Sequence, residues 1–355
     1  MINSKSLLFW GELPPTVFHG ISLSNDRILS TLSADFEIYK VEDKTSFGGR
    51  GRALLSFFFS ILKLIYLSSR KVDIYYTNMP MSFLGLWKVY LSLLVIKVLS
   101  PEAKVFTHLH RGDFLEFINV PRNKRLFKRF TSRVDTILVL SKSAVEELKD
   151  GASIEEHKIK ILHNTVTVYS DKDDISIGKS DKRIRDFYCL CNYIPTKRIH
   201  HLVEISNQNP LIPIKFNGAS SNDDYMDELK KLDVHSLCSF GGVIDGEDKE
   251  RKLSHAKALI LPSLNEGMPL VILESIAQGT PVICFDIGYI SDYVGKDYPG
   301  LVKELSDEAL KDKIQWVEEL SEEKYQLFRN ISFKVFWESY DPKNIAESTL
   351  TLFHQ

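Results

Sequence analysis

Short runs rich in β-branched and aromatic residues alternate with helical stretches along this chain, and the whole series occurs twice. In the first half, the predicted strands are Leu7–Trp10, Phe36–Tyr39, Asp73–Tyr76, Lys104–His108, Thr136–Leu140 and Lys158–Leu162. The predicted helices of this half are 20–33, 52–69, 82–99, 122–133 and 142–149. This alternation predicts an α/β fold in which a parallel sheet is covered by helices on both faces.

The series restarts after a polar segment at 164–183, which we interpret as an interdomain linker. The second set of predicted strands is Phe187–Cys191, Pro213–Phe216, Leu237–Phe240, Ala258–Leu261 and Pro281–Cys284. We predict a helix that opens at Pro269, because proline suits the first helical turn, and further helices at about 306–318, 322–331 and 343–353. A length of 355 residues suits two domains, which we predict at 1–168 and 169–337.

Charge is divided unevenly between the two halves. Residues 1–168 hold 23 lysines and arginines against 16 acidic residues, and the remainder holds 22 against 31. The first half is therefore expected to meet an anionic partner. Because the whole chain has a net charge of −2, membrane lipid or a phosphate-bearing acceptor fits better than nucleic acid.

Three segments of the first half raise the question of membrane contact. The segment 122–133 places six basic residues around Leu126, Phe127 and Phe130, which predicts either a helix lying on an anionic membrane surface or an ordinary solvated helix. The stretches 53–67 and 83–99 are strongly apolar but short for a membrane span of about 20 residues. They are interpreted as buried helices or as a face that touches the bilayer.

The cellular compartment is predicted from the start of the chain and from its cysteines. The apolar run Leu7–Trp10 is too short for a secretory signal, and the four cysteines form no CxxC pair or zinc spacing. We therefore expect a reducing, cytoplasmic location, peripheral on the inner face of the cell membrane.

The segment from Pro262 to Gly288 carries the strongest chemical signal. A predicted strand, Ala258–Leu261, ends in a polar loop with Glu266, and the next helix opens shortly after it. The free N–H groups of a first helical turn form an anion site, and open α/β sheets bind ligands at the carboxyl ends of their strands. Glu274 lies about one and a half turns into the helix, where its carboxylate can accept hydrogen bonds from a ribose diol.

This segment resembles the Glu-x7-Glu signature of the retaining glycosyltransferases of family 4, and the resemblance covers nearly the whole chain. It implies the GT-B fold, with two Rossmann-like domains facing across a cleft and the C-terminal helix, about 338–355, packing back on the N-terminal domain. It further implies that Glu274 holds the donor ribose and that Glu266 lies against the donor sugar. The backbone that contacts the sugar or diphosphate is then that of Gly267, Met268, Pro269 and Leu270.

Two parts of the first half fit the same resemblance. Gly20 ends a loop after the first strand, where similar enzymes bring backbone close to the donor diphosphate and the acceptor. His110, in the sequence His-Arg-Gly-Asp-Phe, resembles the family's histidine that hydrogen-bonds the donor sugar or the acceptor. Strand alternation puts His108 on the same side as His110, which makes it the second candidate.

The start of the second domain departs from the family pattern. Similar enzymes carry an arginine after the first strand and then a Lys-Gly pair, and the two basic side chains clamp the donor phosphates. Here Lys197 matches the lysine, but Asn192 stands at the arginine position and Arg198 replaces the glycine. Since a neutral amide cannot supply a charged bidentate contact, either Arg198 compensates or Lys197 and helix-terminal amides hold the diphosphate alone.

The resemblance implies transfer of a sugar, with retention of configuration, from a UDP- or GDP-linked donor. It implies no metal and no separate cofactor. The expected acceptor is a hydroxyl of a saccharide, carried by a polyprenyl diphosphate or part of a glycan, in surface-polysaccharide assembly (O-antigen, capsule or exopolysaccharide). Three alternatives remain open: a nucleotide-sugar epimerase of this fold, a catalytically silent sugar-binding scaffold, and a Rossmann oxidoreductase. Neither first strand is followed by Gly-x-Gly-x-x-Gly, which speaks against the last.

Overall fold

The computed structural model describes residues 5–17, 19–44, 50–175, 186–220 and 223–355. The chain folds as two compact units. Unit 1 contains residues 1–164 and 343–355, and unit 2 contains residues 165–342. The sequence placed the boundary at 168/169 and assigned the C-terminal helix from about 338. Residues 176–183 of the predicted linker lie outside the described residues.

Unit 1 is built on a six-stranded parallel sheet in the order β2-β1-β3-β4-β5-β6. Its strands are β1 (Lys5–Gly11), β2 (Phe36–Glu42), β3 (Ile74–Asn78), β4 (Lys104–Leu109), β5 (Thr136–Val139) and β6 (Ile159–Ile161). Its helices are α1 (Gly20–Leu32), α2 (Arg50–Ser68), α3 (Phe83–Leu99), α4 (Phe114–Asn119), α5 (Pro121–Thr131), α6 (Lys142–Glu146) and, from the end of the chain, α14 (Pro342–His354). The strand order reverses between β1 and β3, and β4 is the next strand beyond β3.

Unit 2 has a second six-stranded parallel sheet in the order β12-β11-β10-β7-β8-β9, which is the 3-2-1-4-5-6 order of the dinucleotide-binding Rossmann sheet. Its strands are β7 (Phe187–Leu190), β8 (Ile214–Asn217), β9 (Cys238–Gly241), β10 (Ala258–Leu261), β11 (Val282–Phe285) and β12 (Leu301–Val302). Its helices are α7 (Ile199–Gln208), α8 (Asp223–Leu232), α9 (Gly246–His255), α10 (Leu270–Ala277), α11 (Ile290–Val294), α12 (Asp307–Glu318) and α13 (Glu322–Ser339). Two Rossmann-like units are therefore present, as predicted.

The central strands form because their sequences are apolar on both faces. Every residue of β7, β10 and β11 is buried, as expected for parallel strands that are covered by helices on both sides. Serines cap the N-termini of several helices, and the Ser306 hydroxyl, for example, accepts the Ala309 N–H at the start of α12.

The C-terminal helix α14 packs on unit 1, which confirms that prediction. Phe353 is 1% exposed and stacks on Phe106 with ring centroids 4.6 Å apart. It also meets Tyr76 edge to face at 5.3 Å. His354 lies 2.8 Å from Asp35. The helix thus completes the apolar core on one face of the first sheet.

The structure shows which side of the segment 122–133, predicted as either a membrane-surface helix or an ordinary solvated helix, faces solvent. Leu126, Phe127 and Phe130 of α5 are buried within unit 1, and Phe127 packs on Phe114 with ring centroids 5.1 Å apart. Only the basic side of the helix faces solvent. The apolar positions of this helix belong to the core, so they are not available to lipid.

Smaller differences concern element boundaries. Helix α10 begins at Leu270, and Pro269 is its extended N-cap residue, φ −67° and ψ 120°, so the opening lies one residue later than predicted. Helix α13 runs to Ser339 rather than to 331. Strand β12 and helices α4 and α11 were not predicted, because segments of two to six residues contain too few positions to show a period.

Candidate functional site

The carboxyl ends of β7 and β10 bring Lys197 and Glu266 together. These strands are neighbours at the point where the order of the second sheet reverses, which is where open α/β sheets bind ligands. The Lys197 ammonium lies 2.5 Å from Glu266 Oε1, and the Glu266 side chain is 10% exposed. The structure therefore places a cation and a carboxylate, in direct contact, at the reversal point of unit 2.

The backbone around Glu266 is held by a close approach of Gly288. Gly288 has φ +54°, and a Cβ there would lie 2.1 Å from the Glu266 carbonyl oxygen, so a side chain has no room. After Gly267, the side chains of Met268 and Leu270 point into the core at 6% and 7% exposure. Any ligand contact by these two residues is therefore made through their backbone.

The N-terminus of α10 has the features of an anion site. No side chain caps it, since Pro269 occupies the N-cap position and offers no acceptor. The N–H groups of a first helical turn have no intrahelical partner, and the helix dipole makes this end positive. The first turn of α10 can therefore bind an anionic oxygen.

Glu274 is paired with a lysine that sequence reasoning missed. Lys249 Nζ lies 2.6 Å from Glu274 Oε1, and both side chains are largely buried. Lys249 is on α9, a helix rich in exposed charged residues, so no pattern distinguished it from a surface lysine. The two glutamates of the Glu-x7-Glu string thus each hold one lysine.

Arg198 takes a different direction from Lys197. Its backbone is left-handed, φ 57° and ψ 32°, which explains why a glycine suits this position. Its guanidinium bonds to Asp307, which also binds His201 at 2.8 Å, and lies over the Phe285 ring. The structure therefore does not bring the Arg198 charge to Glu266, and Asn192 is exposed.

A buried tyrosine joins the loops that follow β7, β8 and β9. Tyr193 is 1% exposed, and its hydroxyl lies 3.0 Å from the Phe216 carbonyl and 2.9 Å from the Gly241 carbonyl. A Cβ on Gly218 would lie 1.9 Å from the Cys191 carbonyl oxygen. These contacts hold the ends of the three strands and the loops after them together.

Two thiols lie beside this site. Cys189 Sγ and Cys191 Sγ are 3.7 Å apart. The hydrogen bond with Cys191, together with burial, raises the pKa of Cys189 well above its usual value. Cys189 is therefore a neutral thiol at physiological pH, which removes it as a nucleophile, since the thiolate is the reactive form.

In unit 1, the loop after β1 builds a histidine–carboxylate pair. His19 is the N-cap of α1, and its Nδ1 accepts the Ser22 N–H at 3.4 Å. Its Nε2 therefore carries the proton and donates to Glu12 Oε2 at 2.8 Å. Gly20, the predicted donor contact, is the exposed first residue of α1. The sequence did not single out His19 or Glu12, because a lone pair at this spacing has no distinctive pattern.

An amide pair ties this loop to β3. Asn25 is fully buried, and its amide donates to Asn78 Oδ1 at 2.8 Å while Asn78 Nδ2 donates to Asn25 Oδ1 at 2.9 Å. Asn25 also donates to the Glu12 carbonyl at 3.0 Å. The loop carrying Glu12 is thereby held at the reversal point of the first sheet.

His108 and His110 lie on the same side of β4 and its end, with ring centroids 3.9 Å apart. His108 is fully buried and pairs with the Tyr76 hydroxyl through Nδ1 at 3.1 Å. Burial, with a smaller electrostatic contribution from His19, lowers the pKa of His110 to about 3. His110 is thus a neutral imidazole, and its buried Nε2 has no hydrogen-bond partner among the described residues.

The described ranges contain neither a cluster of metal ligands nor a membrane-spanning helix. Within them, no group of three or more histidines, cysteines, aspartates and glutamates is placed to hold a metal ion. No helix in that part of the chain has the length and apolar character required to cross a membrane.

Unit 2 is similar in sequence to a known family of glycosyltransferases. The family described as "Glycosyl transferases group 1" matches residues 171–334, which is nearly all of unit 2. The "uncharacterized glycosyltransferase MJ1607" of Methanocaldococcus jannaschii is 24% identical over 237 residues, 61% of this chain and 59% of the relative. The putative teichuronic acid biosynthesis glycosyltransferase TuaC of Bacillus subtilis is 37% identical over 102 residues, 26% of each chain.

Solved structures establish the fold over the whole chain. Anabaena HepE, determined in complex with UDP-glucose, is similar with a TM-score of 0.74 at 15% identity, covering 98% of this chain and 99% of HepE. The chain therefore has the GT-B fold that the sequence predicted. It spans 59% of the length of the archaeal relative.

Proposed function

We propose that the protein is a glycosyltransferase that moves a sugar from a nucleoside-diphosphate sugar to a hydroxyl of a glycan or lipid-linked saccharide. The observation that carries this proposal is the pairing of Lys197 with Glu266 and of Lys249 with Glu274 at the reversal point of unit 2. The family match over 171–334 supports the same chemistry.

Each donor-side residue has a role that its position supports. Lys197 and the first-turn amides of α10 would bind the diphosphate and stabilise the negative charge of the leaving group. Glu274 would accept hydrogen bonds from the ribose hydroxyls, and Glu266 would orient the sugar. Asn192 would contribute a neutral hydrogen bond to the diphosphate. The left-handed backbone of Arg198 would help to orient Lys197 toward the diphosphate.

Two residues of unit 1 are also proposed to contact the substrates. His110 would hydrogen-bond the donor sugar or the acceptor through its unpartnered Nε2. The exposed backbone of Gly20 at the start of α1 would lie near the diphosphate and the acceptor. A neutral imidazole can donate or accept such a bond without adding charge.

We further propose that transfer is retaining and independent of metal, with a UDP- or GDP-linked sugar as donor and no separate cofactor. The diphosphate oxygen would take the proton of the incoming hydroxyl on the face where the sugar departs. HepE, which was determined with UDP-glucose, and TuaC, which is named for teichuronic acid biosynthesis, support a UDP-linked donor and a surface polysaccharide product. The reaction would then take place in the cytoplasm, with an acceptor such as a polyprenyl-diphosphate saccharide.

Thermal unfolding in the presence of nucleotides tests the donor site. UDP, GDP, CDP, ADP and NAD are added at about a hundred times a micromolar dissociation constant, which would stabilise the bound protein by roughly 2.7 kcal/mol. One nucleoside diphosphate should raise the melting temperature of the wild type and of the exposed-site control Glu323→Gln. It should raise that of Glu274→Gln much less. Stabilisation by NAD alone would favour an oxidoreductase.

The second candidate function is a catalytically silent sugar-binding scaffold. Two observations favour it: Asn192 stands where similar enzymes have an arginine, and Arg198 is paired with Asp307. Slow hydrolysis of the nucleotide-sugar without acceptor distinguishes a transferase from a scaffold, because an active transferase slowly transfers the sugar to water and a scaffold does not. Activity that persists in EDTA, with a product of the same anomeric configuration as the donor by NMR, would support metal-independent retention. An inverted product would reject the retaining mechanism.

A further inference from the structure

Helix α2 presents an apolar face to solvent along most of its length. Leu54, Phe59 and Tyr66 are 70%, 64% and 62% exposed. Four more large apolar side chains complete the face, namely Leu55, Phe58, Leu62 and Ile65. These positions recur at three- and four-residue spacing, so they form one stripe, which we call the α2 apolar face. A stripe of this size on a monomer marks an interaction surface.

The α2 apolar face lies next to a basic surface. Helix α2 packs on α3, and α3 packs on α5. Arg122 of α5 lies over the Phe83 ring at 5.1 Å, and Arg133, just beyond α5, lies over the Tyr90 ring at 5.6 Å. These contacts fix the basic side chains of α5 against α3, on the helical layer to which α2 belongs.

The charged residues of α2, α3 and α5 are all basic. Helices α2, α3 and α5 contain ten lysines and arginines and no aspartate or glutamate. On α3, Lys88 pairs with Asp43 and Lys97 with Asp135. In the described part of the chain, no carboxylate lies within ion-pair distance of the exposed basic residues at and after α5, which are Arg122, Lys124, Arg125, Lys128, Arg129 and Arg133. We call these six residues the α5 basic face.

An anionic lipid bilayer matches both features at once. Exposed phenylalanine and leucine side chains on a helix that lies flat are suited to the boundary between headgroups and acyl chains. Basic side chains in the same helical layer are suited to anionic headgroups. A second copy of this chain would place one α5 basic face near another, and like charges at an interface oppose association.

We propose that unit 1 binds the surface of an anionic membrane, with the α2 apolar face entering the lipid interface and the α5 basic face contacting the headgroups. The inserted element is therefore α2, because the apolar positions of α5 are buried in the core. The proposal depends on the surface of unit 1 and is independent of the transfer chemistry, so it can fail while the proposed function stands.

Flotation of the full chain with lipid vesicles tests the proposal. Vesicles contain phosphatidylcholine alone or with 30% phosphatidylglycerol, at two salt concentrations. The wild type should float with the anionic vesicles, and less so at high salt. The double variant Phe58→Ser, Phe59→Ser should bind them at least tenfold more weakly. Neutralising Arg125, Lys128 and Arg129 to Gln should lower binding to the level of phosphatidylcholine alone.

Matched controls separate this surface from general stickiness. The double variant Leu211→Ser, Leu327→Ser removes two side chains of unit 2 that are 75% and 61% exposed, and it should float like the wild type. Brominated lipid should quench the tryptophan fluorescence of Phe59→Trp more strongly than that of Leu211→Trp. Circular dichroism confirms that each variant is folded, as expected for exposed positions.

Three results would overturn the proposal. The first is a wild type that does not float with anionic vesicles. The second is a Phe58→Ser, Phe59→Ser variant that floats like the wild type. The third is a wild-type dimer, by light scattering without lipid, that the same substitutions convert to a monomer while vesicle binding is unchanged. That outcome would assign the α2 apolar face to a second copy of the chain.

Discussion

Lys197 and Arg198 are neighbours in the chain, yet their charges have different partners. The Lys197 ammonium contacts Glu266, while the Arg198 guanidinium bonds to Asp307 on α12. The left-handed backbone of Arg198 turns the two side chains apart, at a strain of about 1–2 kcal/mol for a residue with a Cβ. The ion pair with Asp307 offsets that strain, which is why an arginine can occupy a position that suits glycine.

Gly288 is expected to accept no larger residue. In Gly288→Ala, the new Cβ would meet the Glu266 carbonyl at 2.1 Å with φ at +54°, so the loop carrying Glu266 must shift. We expect a loss of several kcal/mol in the free energy of unfolding and at least tenfold weaker nucleotide binding, measured by urea unfolding and calorimetry. The control is Gly242→Ala, where nothing lies within 4 Å of the new Cβ. Equal behaviour of the two variants would contradict the steric argument.

His110 should make unit 1 sensitive to acid. In the unfolded chain this histidine binds a proton near pH 6.5, but in the folded chain only near pH 3. Its contribution to stability is therefore complete above pH 6.5 and is lost as the pH falls toward 3, by up to about 1.4 kcal/mol per pH unit.

The change His110→Gln should flatten the pH dependence of unfolding between pH 6.5 and 4, measured by urea unfolding at a series of pH values. The control is His157→Gln, because His157 is exposed and its removal should leave the slope unchanged. A His110→Gln slope equal to that of the wild type would mean that His110 is not buried as a neutral group.

At the scale of elements, α14 shows how one helix completes a core that begins elsewhere in the sequence. Residues 343–355 belong to unit 1, although 178 residues of unit 2 precede them. Their anchor is Phe353, which fills the space between Phe106 and Tyr76. Unit 1 therefore cannot be separated from the end of the chain without opening its core.

Truncation of Phe353 should destabilise unit 1 strongly. The change Phe353→Ala leaves a cavity between two aromatic rings, and we expect a loss of about 3–5 kcal/mol in the free energy of unfolding. Thr351→Ala, on the exposed side of the same helix, should change stability by less than about 0.5 kcal/mol. Thermal unfolding followed by circular dichroism measures both. A small effect of Phe353→Ala would mean that α14 frays from the core.

Elements with a strong periodic or apolar signal could be predicted from the sequence, and their surroundings could not. The strands β7, β10 and β11 could be predicted because short continuous apolar runs are typical of buried strands. Helix α5 was found as well, but the pattern of its residues cannot say whether its apolar side meets the core or a membrane. The apolar side of α5 meets the core because Phe114 of α4, a helix that was not predicted, packs on Phe127.

The candidate site shows the same division. The glutamates of the Glu-x7-Glu string and Lys197 were singled out, since they lie in a recognisable order along the chain. Lys249 comes from a polar surface helix, and its pairing with Glu274 depends on tertiary structure alone. The engagement of Arg198 by Asp307 joins residues 109 positions apart, which no local pattern reports.

At the scale of the whole molecule, the two proposed binding surfaces belong to different units. The lysine–glutamate pairs lie in unit 2, and the α2 apolar face lies in unit 1. Hydrogen exchange on the full chain should therefore report two separate footprints. A nucleoside diphosphate should slow exchange in peptides covering 191–198 and 266–274, and anionic vesicles should slow it in peptides covering 54–66.

Peptides of α8, which belongs to neither surface, serve as the internal reference. Slower exchange in 54–66 on addition of nucleotide alone would contradict the assignment of the two surfaces to different ligands. Slower exchange throughout unit 1 with neutral vesicles would point to nonspecific adsorption instead.

The pairing of Lys197 with Glu266 and of Lys249 with Glu274 has a consequence for how the site responds to ionic strength. Each lysine already has a carboxylate as its counterion, so in the proposed function a phosphate that binds Lys197 would replace one anion with another and would not neutralise a bare charge. Added salt weakens both the old pair and the new one, and the two effects partly cancel. In the proposed function, the same exchange would release Glu266 from its lysine, so that both of its carboxylate oxygens could accept hydrogen bonds from sugar hydroxyls.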